Sequence, residues 1–241
     1  MTNYEYVVQW AEKTTPKNGK MLDYGCGAGA IVDLARRHGV NAFGCDVFYD
    51  GGDYSGEVLG EKFGETIFRM EGDTIPFPEN YFDIVVSNQV LEHVPDLDVV
   101  VSEMARVLKP GGKVLSMFPD RGVWREGHCG VPFLHWFPKG SSFRVNYAMF
   151  WRALGGGYHH GEKNVRQWSE EFCKWLDDWT YYRSVEEIDE VFEKYFSPRT
   201  PLEADLFVKR TGRRGIPFKS IIVRKMAHLA FENEKINLEN E

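Results

Sequence analysis

Residues 20–38 carry the reading that decides the fold: an apolar stretch, Lys20-Met21-Leu22-Asp23-Tyr24, runs into Gly25-Cys26-Gly27-Ala28-Gly29, and helix-like periodicity covers Ala30–His38. Three alternate glycines therefore sit where a strand turns into a helix. Glycine there lets the backbone approach a ligand closely, and the helix N-terminus offers N–H groups with no partner inside the helix. Gly25-x-Gly27-x-x-Ala30 also satisfies the loose dinucleotide fingerprint, with Asp46 placed for a ribose, so a nicotinamide enzyme is the alternative. Asp23 discriminates, because a carboxylate just before the loop repels a pyrophosphate and suits a ligand with a cationic amine.

Working outward, residues 3–14 read as a short amphipathic helix, and Pro16 to Gly19 as a turn. Strands are predicted at Val40–Cys45, at Thr66–Met70 after a glycine-rich loop Tyr49–Gly64, at Phe82–Ser87 and at Lys113–Phe118. A helix over Leu97–Leu108 is stopped by Pro110-Gly111-Gly112. This alternation predicts an α/β fold, a Rossmann-like, doubly wound, mostly parallel seven-stranded sheet with its ligand at the carboxyl ends of the strands. Helices follow at Ser169–Trp179 and Val185–Tyr195, the latter opened by Ser184 with Glu187 as a capping box. Leu206–Lys209 and Ile221–Arg224 read as the late strands, although Ile216–Phe231 reads equally well as one basic amphipathic helix.

The 241 residues are 43% hydrophobic and 15% aromatic, which excludes a disordered, collagen-like or coiled-coil chain and suits a single domain over 1–241. A net charge of −7 argues against a surface built throughout for nucleic acid. Cys26, Cys45, Cys129 and Cys173 are widely spread and read as reduced thiols, and with neither a signal-peptide pattern nor a membrane-length apolar run the expected location is cytoplasmic.

Beyond the glycine loop, Asp46 closes the second strand, where a carboxylate can accept from both ribose hydroxyls. Asp73, in Gly72-Asp73-Thr74-Ile75-Pro76-Phe77, combines an acceptor for an adenine amino group with apolar neighbours for its ring. With Phe82-Asp83, Leu91-Glu92-His93-Val94 and Arg106-Val107-Leu108-Lys109-Pro110-Gly111-Gly112, five ordered motifs lie within residues 18–120. In this the chain resembles the class I S-adenosylmethionine-dependent methyltransferases that act on small molecules. The resemblance implies S-adenosylmethionine as cofactor and S-adenosylhomocysteine as product. It assigns Asp23 and the Gly25, Cys26, Gly27 and Gly29 backbone to the methionine end, and Asp46 with Val47 to the ribose. Asp73 and Thr74 go to the adenine, and Asn88 and Gln89 to the floor beneath the sulfonium.

The rhythm breaks after residue 119, and Asp120–Gly161 has no sustained period. This segment, with the inserted region 120–182 to which it belongs, is expected to form an aromatic and basic lid after the fifth strand that recognises the acceptor. Seven Lys and Arg between Arg121 and Arg166 face only Glu126 and Glu162. Trp124, Arg125, Trp136 and Arg144 are the expected acceptor contacts, for an anionic or saccharide-like metabolite methylated at oxygen. A dimer contact is the competing reading of these aromatics. Histidine suits a general base near neutral pH, and the candidates are His128 and His135, with His93 in reserve. No metal is expected, since neither His128, Cys129 and His135 nor His159-His160 has zinc-finger or H-E-x-x-H spacing.

Lys209, Arg210, Arg213, Arg214, Lys219, Arg224 and Lys225 form a second basic cluster, so residues 209–225 are a candidate for peripheral contact with an anionic membrane. A catalytically silent cofactor-binding module whose insertion contacts a protein is the alternative function. A nucleic-acid methyltransferase comes third, because Asn88-Gln89-Val90-Leu91 lacks the N-P-P-[YF]-like motif often used in base methylation.

Overall fold

The structure, a computed structural model, describes residues 1–49, 55–58 and 60–236; the rest of the expected glycine-rich loop Tyr49–Gly64 lies outside them. Seven strands, β1 (Lys20–Tyr24), β2 (Asn41–Asp46), β3 (Ile67–Arg69), β4 (Phe82–Asn88), β5 (Leu108–Phe118), β6 (Thr200–Pro201) and β7 (Leu229–Glu234), form one sheet in the order β3-β2-β1-β4-β5-β7-β6. The first five are parallel, and β7 runs antiparallel between β5 and β6. The expected doubly wound seven-stranded sheet is therefore present. Strand order reverses between β1 and β4, and that reversal opens a crevice at their carboxyl ends.

Both faces of the central strands are buried, which is why they read as near-continuous apolar runs. Leu22, Tyr24, Val85 and Val114 point into one core with helix α3 (Leu97–Val107) and helix α6 (Val185–Phe192). Met21, Ile84, Val86 and Leu115, alternating with them, point into the other with helix α1 (Asn3–Thr14) and helix α2 (Ala30–Arg37). A capping box between Thr2 and Glu5 starts α1, and Asp96 caps α3 by accepting from the Asp98 and Val99 amides.

The insertion after β5 is more regular than expected. Helix α4 (Ser142–Ala153) lies inside the stretch read as irregular, and helix α5 (Val165–Trp179) starts four residues before the expected Ser169, capped by Asn164. Phe143, Phe150 and Leu154 face solvent while Ala148 is buried, so apolar residues on both sides of α4 hide its period. The insertion has its own small core of Cys129, Val131, Leu134, Ala148, Trp168, Cys173 and Leu176. The Trp168 indole N–H also donates to the Tyr158 carbonyl at 3.0 Å.

The late strands need correction. Leu206–Lys209 lies in helix α7 (Glu203–Thr211) and Ile221–Arg224 in helix α8 (Lys219–Met226), while the strands are β6 and β7. The single helix read over Ile216–Phe231 is likewise excluded, because the chain leaves α8 at Met226 and enters β7 at Leu229. The sequence of β7, Leu-Ala-Phe-Glu-Asn-Glu, hides a strand because two of its polar members find hydrogen-bond partners far away in the chain. Trp10 donates to the Glu232 carboxylate at 2.6 Å, and Asn233 donates to the Ser197 carbonyl at 2.8 Å. Most of the second basic cluster is also engaged internally: Arg224 pairs with Asp120, Lys209 with Asp205, Arg210 donates to the Asn3 side chain, and Lys219 and Lys225 donate to the Arg214 and Gly122 carbonyls. No described helix is long and apolar enough to cross a membrane.

Candidate active site

At the end of β1 the chain turns on Gly25, Gly27 and Gly29, all with positive φ (74°, 51° and 83°), a region that residues with a Cβ enter only at a cost. At Gly25 a Cβ would also overlap the Val90 side chain. The turn is held by Asp46 at the end of β2: one carboxylate oxygen accepts the Gly27 N–H at 2.8 Å, the other the Phe48 N–H at 2.7 Å. Asp23 lies behind the loop, buried, with Oδ2 lacking a hydrogen-bond partner. Burial, and then the neighbouring Asp46 charge, push its carboxyl well above the usual range.

A cavity of about 440 Å³ opens from this loop, its near wall formed by Tyr24, Gly25, Gly27, Asp46, Val47 and Met70. Asp73 and Gln89 line it as well. The Asp73 turn is fixed by α3: Arg106 donates to the carbonyls of Ile75 and Phe77, both at 2.9 Å, and to Glu103, which accepts the Ile75 N–H. The arginine of the Arg106–Gly112 motif is thus a clamp on the Asp73 turn. Gln89 adopts the left-handed conformation and donates to the Met117 carbonyl at 3.1 Å.

The far wall comes from the insertion and from the turn after β4. His93, Val94 and Pro95 line it together with His128, Trp175, Trp179 and Tyr181. Arg183 binds these parts together, donating to the carbonyls of Leu91, Val94 and Pro95, while the Tyr181 N–H donates to the Glu92 carbonyl. Leu91-Glu92-His93 forms a separate 3-10 turn before α3.

Here a chain of buried polar groups meets the cavity. His93 Nδ1 lies 2.7 Å from the Trp179 carbonyl, and since a carbonyl only accepts, Nδ1 carries the proton and Nε2 presents its lone pair. His128 Nδ1 lies 2.7 Å from the Glu126 carboxylate, which also accepts from the Tyr182 hydroxyl at 2.6 Å and the Cys129 N–H at 2.6 Å. These donors overcome desolvation and hold the Glu126 carboxyl down at about 2. Desolvation opposes the charged His128 ring, yet hydrogen bonding and attraction to Glu126 leave its pKa raised; burial lowers His93 to about 4. Glu92 is buried beside them with neither carboxylate oxygen hydrogen-bonded, and burial raises it to about 7.

Of the residues expected at the site, Gly25, Gly27, Asp46, Val47, Asp73, Gln89, His93 and His128 line the cavity, while Asp23, Cys26, Gly29 and Thr74 do not. Asn88 is turned away, its Oδ1 accepting from Asn3 at 2.9 Å. His135 does not line the cavity: it is buried against Tyr182, with Nε2 3.3 Å from the Arg121 carbonyl. The four expected acceptor contacts also lie elsewhere. Arg144 is buried in an ion pair with Asp177, Arg125 donates to the Tyr158 hydroxyl, Trp136 donates to the Arg121 carbonyl, and Trp124 is half exposed outside the cavity. Trp175, Trp179, Tyr181, Tyr49 and the Glu126–Tyr182 pair were not foreseen; Trp175 and Trp179, four apart on a predicted helix, were the available signal.

Residues 22–116 match the family described as a methyltransferase domain. Over this stretch, less than half of the chain, the protein is similar to a methyltransferase domain. The chain is 40% identical over 99 residues to a sterol 24-C-methyltransferase of Yarrowia lipolytica, covering 39% of this chain and 26% of the relative. It is 35% identical over 125 residues to a demethylmenaquinone methyltransferase of Bacillus licheniformis, covering 45% of this chain and 50% of the relative. The chain thus spans half or less of the length of these relatives. Among solved structures, the phosphoethanolamine N-methyltransferase 2 of Haemonchus contortus in complex with S-adenosyl-L-methionine superposes over 98% of this chain and 52% of its own. The TM-score is 0.54 at 18% identity, a likeness of fold.

Proposed function

We propose that the protein transfers a methyl group from S-adenosylmethionine to a small ring-bearing acceptor held against the insertion. The observation that carries this reading is the cavity itself, which runs from the glycine loop and Asp46 at one end to His93, His128, Trp175 and Trp179 at the other. The near wall fits the cofactor: a glycine cradle with positive φ, a carboxylate at the end of β2, an acidic turn after β3, and the orphaned Oδ2 of Asp23 behind the loop. Gly25, Gly27, Asp46, Val47, Met70, Asp73 and Gln89 would hold it. When bound, S-adenosylmethionine supplies an electrophilic methyl carbon, so the chain's task is alignment and exclusion of water.

The far wall favours a planar or sugar-like acceptor, because Trp175, Trp179 and Tyr181 offer flat faces and, among the described residues, its only ionisable nitrogens are those of His93 and His128. The same two imidazoles, each oriented by a fixed partner on Nδ1, meet through Nε2 beside the position proposed for the acceptor. An anionic acceptor is less well served, since Arg125 and Arg144 are engaged by Tyr158 and Asp177.

The test is calorimetric titration with S-adenosylmethionine, S-adenosylhomocysteine and NAD, beside an Asp46→Asn variant. Micromolar binding of the first two, weakened in the variant, and none of NAD, is the expected result. Binding of NAD alone overturns the reading; cofactor binding with no methyl transfer to any quinol, phenol or sugar acceptor favours the silent module.

A further inference from the structure

His93 and His128 bring their Nε2 atoms to 3.2 Å, and Glu92 places a carboxylate oxygen within 4.8 Å of both. On each ring the other nitrogen is already committed, Nδ1 of His93 to the Trp179 carbonyl and Nδ1 of His128 to the Glu126 carboxylate. Outer partners of this kind fix the tautomer and aim of metal-binding histidines. Two imidazoles bound at about 2.05 Å on a tetrahedral zinc ion stand roughly 3.3 Å apart, close to the observed spacing. Glu92 is fully buried with neither oxygen hydrogen-bonded, an arrangement that costs free energy unless another group satisfies it.

From this geometry we infer that Glu92, His93 and His128 form a binding site for one divalent transition metal ion of the zinc type. Two imidazoles and a single carboxylate suit such an ion, whereas Mg²⁺ and Ca²⁺ prefer an all-oxygen shell. Three protein ligands leave a coordination position open, as catalytic sites do. His93 and His128 line the main cavity, and a second groove of about 450 Å³ also borders His128. The spacing in sequence conceals the site, because Glu92-His93 follows β4 and His128 belongs to the insertion. The metal site stands on its own geometry, while its role rests on the proposed methyl transfer: next to the acceptor, the ion's charge stabilises a deprotonated hydroxyl.

The experiment uses the full chain, stripped by chelator dialysis and titrated with Zn²⁺ in competition with a chromophoric chelator. A parallel Co²⁺ titration is followed by visible absorption. One equivalent bound at about 1 μM or tighter is expected, weakened at least ~100-fold in His93→Gln and in Glu92→Gln and about 10–100-fold in Glu126→Gln, which spares the ligands. Each variant is also titrated with S-adenosylmethionine, and retained cofactor binding shows that it folds. Absence of Zn²⁺ and Co²⁺ binding at about 100 μM, or affinity unchanged in Glu92→Gln and His93→Gln, overturns the metal site. Metal binding by a protein that takes up no S-adenosylmethionine leaves the site standing and removes the methyltransferase reading instead.

Discussion

His93 and His128, thirty-five residues apart, face each other through their Nε2 atoms at 3.2 Å, one supplied by the turn after β4 and the other by the insertion. Their contact is the point at which the nucleotide-binding half of the molecule and the inserted half become one site. Arg183 secures it, spanning from the neck of the insertion to three carbonyls of the Leu91–Pro95 turn.

Removing that clamp should therefore damage acceptor use more than cofactor use. In Arg183→Ala the three carbonyls lose their donors, at about 1.5–3 kcal/mol for hydrogen bonds to a charged group. The expected outcome is a fall in kcat of at least ~10-fold with cofactor affinity within about 2-fold of wild type, read by steady-state kinetics beside calorimetry.

Arg106 should show the reverse pattern. It holds the Asp73 turn through the Ile75 and Phe77 carbonyls, far from the histidines. Arg106→Ala is expected to weaken S-adenosylhomocysteine binding by about 10-fold and to lower stability by about 1–3 kcal/mol. Unchanged affinity would show that the turn keeps its shape without the clamp.

Trp175 lines the far wall of the cavity and packs against both histidine rings, with ring centroids 5.9 Å from His93 and 5.0 Å from His128. Losing an aromatic face of this kind costs about 0.5–1.5 kcal/mol beyond the area it buries. Trp175→Ala should thus raise the acceptor KM by roughly 10-fold, whereas Trp175→Phe should retain most of the affinity.

Acid sensitivity has a nameable contributor outside the site. His228 is buried with Nε2 unpartnered, and burial, reinforced by Arg210, lowers its pKa to about 4. Its unfolded value is near 6.5, so the unfolded chain binds the proton more readily, and the resulting loss of stability begins as pH falls below 6.5 and is complete near 4. The wild type should lose up to about 3 kcal/mol over that window relative to His228→Phe. Denaturant melts of both proteins at pH 7.5, 6, 5 and 4.5 measure the difference, and parallel curves would exclude His228 as the cause.

Much of this was legible along the chain. The apolar runs of β1, β4 and β5, the glycine turn and Asp46 are local signals, because backbone conformation and burial on both faces of a parallel strand constrain residue type position by position. Arg106 was visible as part of a motif, but its use as a clamp was not, since nothing in sequence ties it to Ile75 and Phe77. The basic and aromatic residues of the insertion misled for the same reason. Arg144 reads as a free charge until α4 and α5 pack and bury it against Asp177, and His135 reads as a base until Tyr182 covers it.

Local chemistry along the chain thus settled the strand and helix rhythm as far as the fifth strand, the cradle at Gly25–Gly29 and the class of fold. Packing alone settled which side chains face the cavity, which charges find internal partners, and which distant histidines meet. Such choices depend on contacts between residues tens to hundreds of positions apart, such as His93 with His128 and Trp10 with Glu232, and no local pattern encodes a partner that only the closed chain brings within reach.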